Sequence, residues 1–127
     1  MILHKRYFVL LVGGLVSLGC SGSDAIDGNV CTPEARAGIT VDVRDSVTNA
    51  LVGRGSAVFV REGAVVADSA NDTSVSDGPY GLAFERTGTF TVFVTKTGYQ
   101  PWSKANVQVT KGTCHVNAVA VTARLQK

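Results

Sequence analysis

From Gly38 to near the C-terminal end, apolar and polar residues alternate with a period of two. Ile39, Val41 and Val43 alternate with Thr40, Asp42 and Arg44, and Phe90, Val92 and Val94 alternate with Thr91, Phe93 and Thr95. Successive side chains of a strand point to opposite faces, so such runs between Gly and Asn/Asp clusters predict half-buried β-strands. After the first run, Ser46-Val-Thr-Asn49 is a turn. Arg54 to Arg61 reads as a second strand, with Val58 and Val60 on one face and Ala57 and Phe59 on the other. Glu62-Gly63 is a tight-turn signal, and Ala64 to Asp68 returns. Ser69 to Gly78, rich in Ser, Asn, Asp and Gly, reads as a loop. Tyr80, Leu82 and Phe84 alternate, Thr87-Gly88 turns into the Phe90 run, and Gly98 to Pro101 turns again. Val107 and Val109 alternate, Lys111-Gly112 turns, and a last strand is predicted from Cys114 to Leu125. About seven short strands at this spacing predict one all-β domain, a β-sandwich over residues 38–125.

The N-terminal pattern is different. His4, Lys5 and Arg6 precede an apolar run from Tyr7 to Leu18, broken by Gly13, Gly14 and Ser17, and then come Gly19 and Cys20. That is the layout of a secretory signal, and the run is shorter than the roughly 20 apolar residues of a membrane span. Val16-Ser17-Leu18-Gly19-Cys20 resembles the lipobox of bacterial lipoproteins, although Ser17 stands where that class usually has Leu. The resemblance implies a signal peptide over residues 1–19, cleavage before Cys20 and acylation of its sulfur. The thiol accepts a glyceryl group as a thioether, and the small Gly19 seats the bond to be cut. More than one acyl chain gives stable anchoring, each buried methylene contributing about 0.8 kcal/mol. An ordinary signal peptide that leaves Cys20 as a plain thiol is the alternative. Residues 20–37 then form the lipidated cysteine and a polar tether, Ser- and Asp-rich over 21–29 and without a core-forming face. Ser21 rather than Asp follows the cysteine, which by the same resemblance points to the outer membrane of a Gram-negative envelope, facing the periplasm.

Cleavage changes the charge. The chain has a formal charge of +2, but Lys5 and Arg6 lie before Cys20 and all 10 acids after it, so the mature chain is formally neutral. Without a basic run there is no electrostatic footprint for nucleic acid. Cleavage also changes the cysteine count. Of three cysteines, Cys20 is taken by lipid, and Cys31 and Cys114 remain in a compartment where disulfides persist. The pair predicts a bridge; two free thiols are the other outcome.

Gly88-Thr-Phe-Thr-Val-Phe-Val-Thr-Lys-Thr-Gly98-Tyr99-Gln-Pro-Trp102 is similar to the carboxypeptidase regulatory-like family, as are Ile39-Thr-Val-Asp-Val-Arg-Asp with Leu51-Val52-Gly53, the Ser76-Asp77-Gly78-Pro79-Tyr80 step and Cys114-His115-Val116. Asn49-Ala50 stands where that family usually has a Gly. The resemblance covers about residues 38–125 and implies a prealbumin-like, Greek-key sandwich that acts as an accessory or binding module.

Candidate chemistry is sparse. His115 is the one histidine after Cys20, and with both remaining thiols paired it lacks co-ligands for zinc. It would also have to serve any serine-hydrolase constellation, and no Gly-x-Ser-x-Gly elbow exists. Asp42, Asp45, Asp68, Asp72, Asp77, Glu62 and Glu85 are candidates for paired-carboxylate chemistry, but most sit at turns or on polar faces. Asp68, Asn71, Asp72 and Asp77 share one loop, without EF-hand spacing. Tyr99 and Trp102 flank Pro101 in a turn and could form a sugar- or peptide-binding platform, or fold over the sandwich edge. The expectation is a non-catalytic envelope module with no cofactor or metal, contacting an envelope protein or a glycan.

Overall fold

The computed structural model describes residues 30–71 and 77–127. Eight strands form two sheets: β1 Ile39–Asp45, β2 Ser56–Glu62, β3 Val65–Asn71, β4 Tyr80–Leu82, β5 Gly88–Lys96, β6 Trp102–Lys111, β7 Val116–Asn117 and β8 Val119–Leu125. The smaller sheet has the order β4-β1-β8 and the larger β3-β2-β5-β6-β7. The fold is thus all-β and consistent with a two-sheet sandwich, with β7 the extra, two-residue strand. No helix among the described residues is long and apolar enough to cross a membrane.

The period-two pattern builds the core directly. Ile39, Val41 and Val43 of β1 are fully buried, and so are Val58 and Val60 of β2 and Val92 and Val94 of β5. Phe90, Val107, Val109, Leu82, Val121, Ala123 and Leu125 complete the same cluster. Each fully buried Val, Leu, Ile or Phe contributes about 1.5–3 kcal/mol relative to exposure. The facing polar positions lie outward, where Phe59 and Phe93 form a directly opposed cross-strand pair. Their rings stack with centroids 4.9 Å apart and planes 9° from parallel. The Arg61 guanidinium lies 5.5 Å and 5.2 Å from the two centroids, so this outer-face pair covers itself.

β2 begins at Ser56 rather than Arg54, β4 ends at Leu82 and leaves Phe84 exposed, and three further differences from the sequence reading are larger. Ser69, Ala70 and Asn71 belong to β3, paired with Phe59, Val58 and Ala57, rather than to a loop. Such residues, two of them polar and one Ala, are tolerated because β3 is an edge strand with one partner. β6 begins at Trp102, five residues before the alternating Val107 and Val109, and a register shift against β5 with Asn106 at φ 57° interrupts its alternation. The single strand predicted from Cys114 to Leu125 is two: β7 pairs with β6, and after Ala118 β8 pairs with β1 in parallel, so the chain changes sheets there. Cys114 lies in the connection before β7.

The strand directions give the sandwich two distinct ends. β1 and β8 run parallel. β5 of the other sheet runs the same way, since Gly38 lies beside Val109, the partner of Gly88, and Tyr99 links Lys96 to Asp45. Ile39, Gly88 and Val119 therefore lie at one end and Asp45, Lys96 and Leu125 at the other.

Candidate functional site

At the first end the chain enters the domain as an arm without regular secondary structure, residues 30–37. Cys31 and Cys114 are joined in a disulfide, with Cα atoms 5.1 Å apart, within the usual bridging range. His115, next to Cys114, extends the attachment. Its Nδ1 lies 2.7 Å from Glu85 Oε1 and its Nε2 lies 3.1 Å from Thr32 Oγ1. A neutral ring that donates from Nδ1 to the carboxylate leaves Nε2 to accept the Thr32 hydroxyl. The Arg36 N–H also donates to Glu85 Oε1 at 2.7 Å, and the Glu85 N–H donates back to the Arg36 carbonyl at 3.0 Å. The Arg36 N–H, and after it the His115 ring, hold the Glu85 carboxyl below its ordinary pKa.

Thr32, His115 and Glu85 have the hydroxyl–imidazole–carboxylate order of a hydrolase triad. Here the three parts brace the arm: Thr32 follows a bridged cysteine, and the carboxylate oxygen is shared with a backbone N–H. The sequence singled out His115 and, separately, Glu85 among the carboxylates, but not Thr32 and not their contact across 83 and 30 residues of chain.

At the opposite end the turns are fixed by side chains that cap backbone groups. Asp45 Oδ1 accepts the N–H groups of Val47 and Thr48 at 2.9 Å each, and its Oδ2 accepts the Tyr99 hydroxyl at 3.1 Å. The Thr48 and Val47 N–H groups, and then the Tyr99 hydroxyl, lower the Asp45 pKa from 3.8 to about 2. Asn49 takes φ 59°, a left-handed conformation that Asn adopts more readily than most other non-glycine residues. The Tyr80 hydroxyl donates to the Gly53 carbonyl at 2.5 Å.

Two open clefts lie at this end, one on each side of Pro101. One, of about 300 Å³, is lined by Gln100, Pro101, Trp102, Arg124 and Gln126. The other, of about 390 Å³, is lined by Ala57, Thr95, Lys96, Thr97, Tyr99 and Pro101 among others. These volumes lie near the lower bound for small-molecule sites. The N–H of Gln100 donates to the carbonyl of Gln126 at 2.7 Å, so two walls of the first cleft are joined. Tyr99 and Trp102 are both half-buried and packed against the core cluster. They do not make one platform; each lines its own cleft. The sequence pointed to these two aromatics and missed Lys96, Gln100, Arg124 and Gln126, which lie in other strands or beyond a strand end.

The remaining carboxylates are held singly. Asp42 pairs with Arg44 at 3.5 Å, and Glu62 with Arg86 at 3.3 Å. Asp68 Oδ2 accepts the Ala83 N–H at 2.8 Å, and Asp77 Oδ1 accepts the Arg54 N–H at 3.0 Å. Asp72, the Asn71 side chain and Cys20 lie outside the described residues. Among the described residues no group of three or more His, Cys, Asp or Glu is placed to hold a metal ion. Comparison with known proteins finds no family model and no curated protein that matches this chain.

Proposed function

We propose that this chain is a lipid-anchored, non-catalytic accessory module of the bacterial cell envelope. The observation that carries the reading is the pinned arm. Residues 30–37 enter the domain at one end, where a disulfide at Cys31 and the His115–Glu85 contact fasten them to the sandwich. A fastened arm passes a pull on the anchor into both sheets, since Cys114 precedes β7 of the larger sheet and β8 of the smaller. The lipobox-like Val16 to Cys20 and the order of segments similar to the carboxypeptidase regulatory-like family support the same role. Ser21 after the cysteine favours the outer membrane.

Replacing Cys20 tests this reading. Cys20→Ala should abolish acylation, read by mass spectrometry of the mature N-terminus, and move the protein from the membrane to the soluble fraction. An alanine variant that partitions with membranes as the parent does overturns the anchor.

A second reading, a module that binds an envelope glycan or peptide, is favoured by one observation. Trp102 and Tyr99 each line a cleft at the end opposite the arm. A tethered domain would present that end away from its point of attachment.

A further inference from the structure

We propose that the end of the sandwich opposite the arm binds an anionic oligosaccharide, with neighbouring sugar units in the two clefts that meet at Pro101. This deepens the binding reading above and rests on it. The two clefts repeat one chemistry. Tyr99 and Lys96 line one, and Trp102 and Arg124 line the other, so each has one aromatic ring and one cation. A repeat of this kind suits a ligand that itself repeats. Pyranose rings have an apolar C–H face for an aromatic ring and hydroxyls at the edge. The edge groups find Thr95 and Thr97 on one side and Gln100 and Gln126 on the other. Hydroxyls and amides both donate and accept, as sugar hydroxyls require.

Charge sets the class of sugar. Among the described residues no carboxylate side chain lines either cleft, while Arg124 and Lys96 do, the Lys96 ammonium also donating to the Arg54 carbonyl. Asp45, which contacts the Tyr99 hydroxyl but lines neither cleft, is held by two backbone N–H groups, that hydroxyl and the Lys127 ammonium. The Lys127 ammonium, 5.5 Å from the centre of the Tyr99 ring, is paired with Asp45 Oδ2 at 3.9 Å and so balances that carboxylate. Arg124 donates through Nη1 to Asn49 Oδ1 at 2.8 Å. A guanidinium has five N–H donors in a planar fork that matches a carboxylate or sulfate. Its cross-strand neighbour Arg44 is already paired with Asp42, which leaves Arg124 as the cation turned to the cleft. An acidic peptide would meet the cations but would not make repeated use of an aromatic face beside hydroxyl and amide groups.

Trp102 is the one tryptophan of the chain, so its emission reports directly on the cleft. The full-length protein, in detergent, is titrated with trigalacturonic acid, its methyl ester, a sulfated trisaccharide and an oligoglutamate. Trigalacturonic acid should shift Trp102 emission saturably, and added salt should weaken the effect. Arg124→Gln should raise the Kd about tenfold through loss of the charge-assisted pair, and Lys96→Gln should raise it less. The Arg124→Gln variant should melt with the parent, which separates lost binding from lost fold. A response to the sulfated sugar alone retains the proposal with sulfate as the anion. An equal response to the methyl ester overturns the anionic class and leaves the binding reading standing, as does a response to oligoglutamate alone. No response to any probe overturns the proposal and the binding reading together, while the Cys20→Ala fractionation stands independently.

Discussion

The two ends of this sandwich are held by different kinds of bond. At the arm end a covalent bridge and a histidine–carboxylate contact fasten a segment that has little core of its own; Cys31, Thr32 and Arg36 are all exposed. At the cleft end nothing covalent is used. Asp45 and Tyr80 cap backbone groups of the turns, and the chain is positioned without covering the surface around Pro101. Both ends close over the same valine-rich core. The difference separates attachment from recognition: an end that must resist displacement is cross-linked, and an end that must present polar groups is only capped.

Removing the bridge should have the largest effect and sharpen the contrast most. Cys31 and Cys114 are 83 residues apart, and a loop of that size corresponds to about 4–5 kcal/mol in the chain-entropy model. The Cys31→Ser, Cys114→Ser double variant should lose roughly that much in denaturant unfolding, a large share of a small domain's stability. Trp102 emission in the folded variant should match the parent, because Trp102 opens its strand at the opposite end. A changed Trp102 signal under native conditions would show that the two ends are coupled.

The elements that sequence made legible are those with two faces in different surroundings. β1, the paired part of β2 and β5 alternate because one face meets the core and the other water, and their valines lie where the pattern put them. The disulfide was legible from counting, since two cysteines remain after Cys20. Segments whose side chains carry no alternation were not legible. Ser69 to Asn71 pair with β2 through backbone groups, and their side chains carry no strand signature. The change of sheets after Ala118 leaves no mark in composition. The site was half legible: Tyr99 and Trp102 stand out as aromatics beside a proline, with Lys96 and Gln100 close by in sequence, whereas Arg124 and Gln126 reach them only through tertiary packing.

Overpacking a cap at the cleft end should have the next largest effect. Gly53 is buried, and a Cβ there would overlap the Asp77 carbonyl oxygen and press on the Tyr80 ring. Gly53→Ala should cost about 1–3 kcal/mol, as overpacking commonly does, and should displace the Tyr80 hydroxyl from the Gly53 carbonyl. Unlike loss of the bridge, it should alter Trp102 emission or the near-ultraviolet signal of the tyrosines. A stability equal to the parent's would show that the chain around Asp77 gives way, and that the cleft end is softer than its caps imply.

The smallest effect is a pH dependence at the cleft end. The Asp45 carboxylate accepts the Thr48 and Val47 N–H groups and the Tyr99 hydroxyl, and these lower its pKa from 3.8 to about 2. A group whose pKa is depressed by folding binds its proton more weakly in the folded chain, so acid favours the unfolded state. The contribution of Asp45 is therefore fully present above its ordinary value and is lost as pH falls through the folded one. Asp45→Asn removes that titration and retains one acceptor oxygen. The parent should lose thermal stability more steeply than the variant between about pH 4 and about pH 2, and the two should run parallel at neutral pH. Glu85 is also depressed, so the arm end adds a slope of the same sign. Melts of Glu85→Gln and of the double variant assign the two slopes separately. If Asp45→Asn leaves the acid limb unchanged and Glu85→Gln removes it, acid loosens the arm end first, and the capped end is the more acid-resistant of the two.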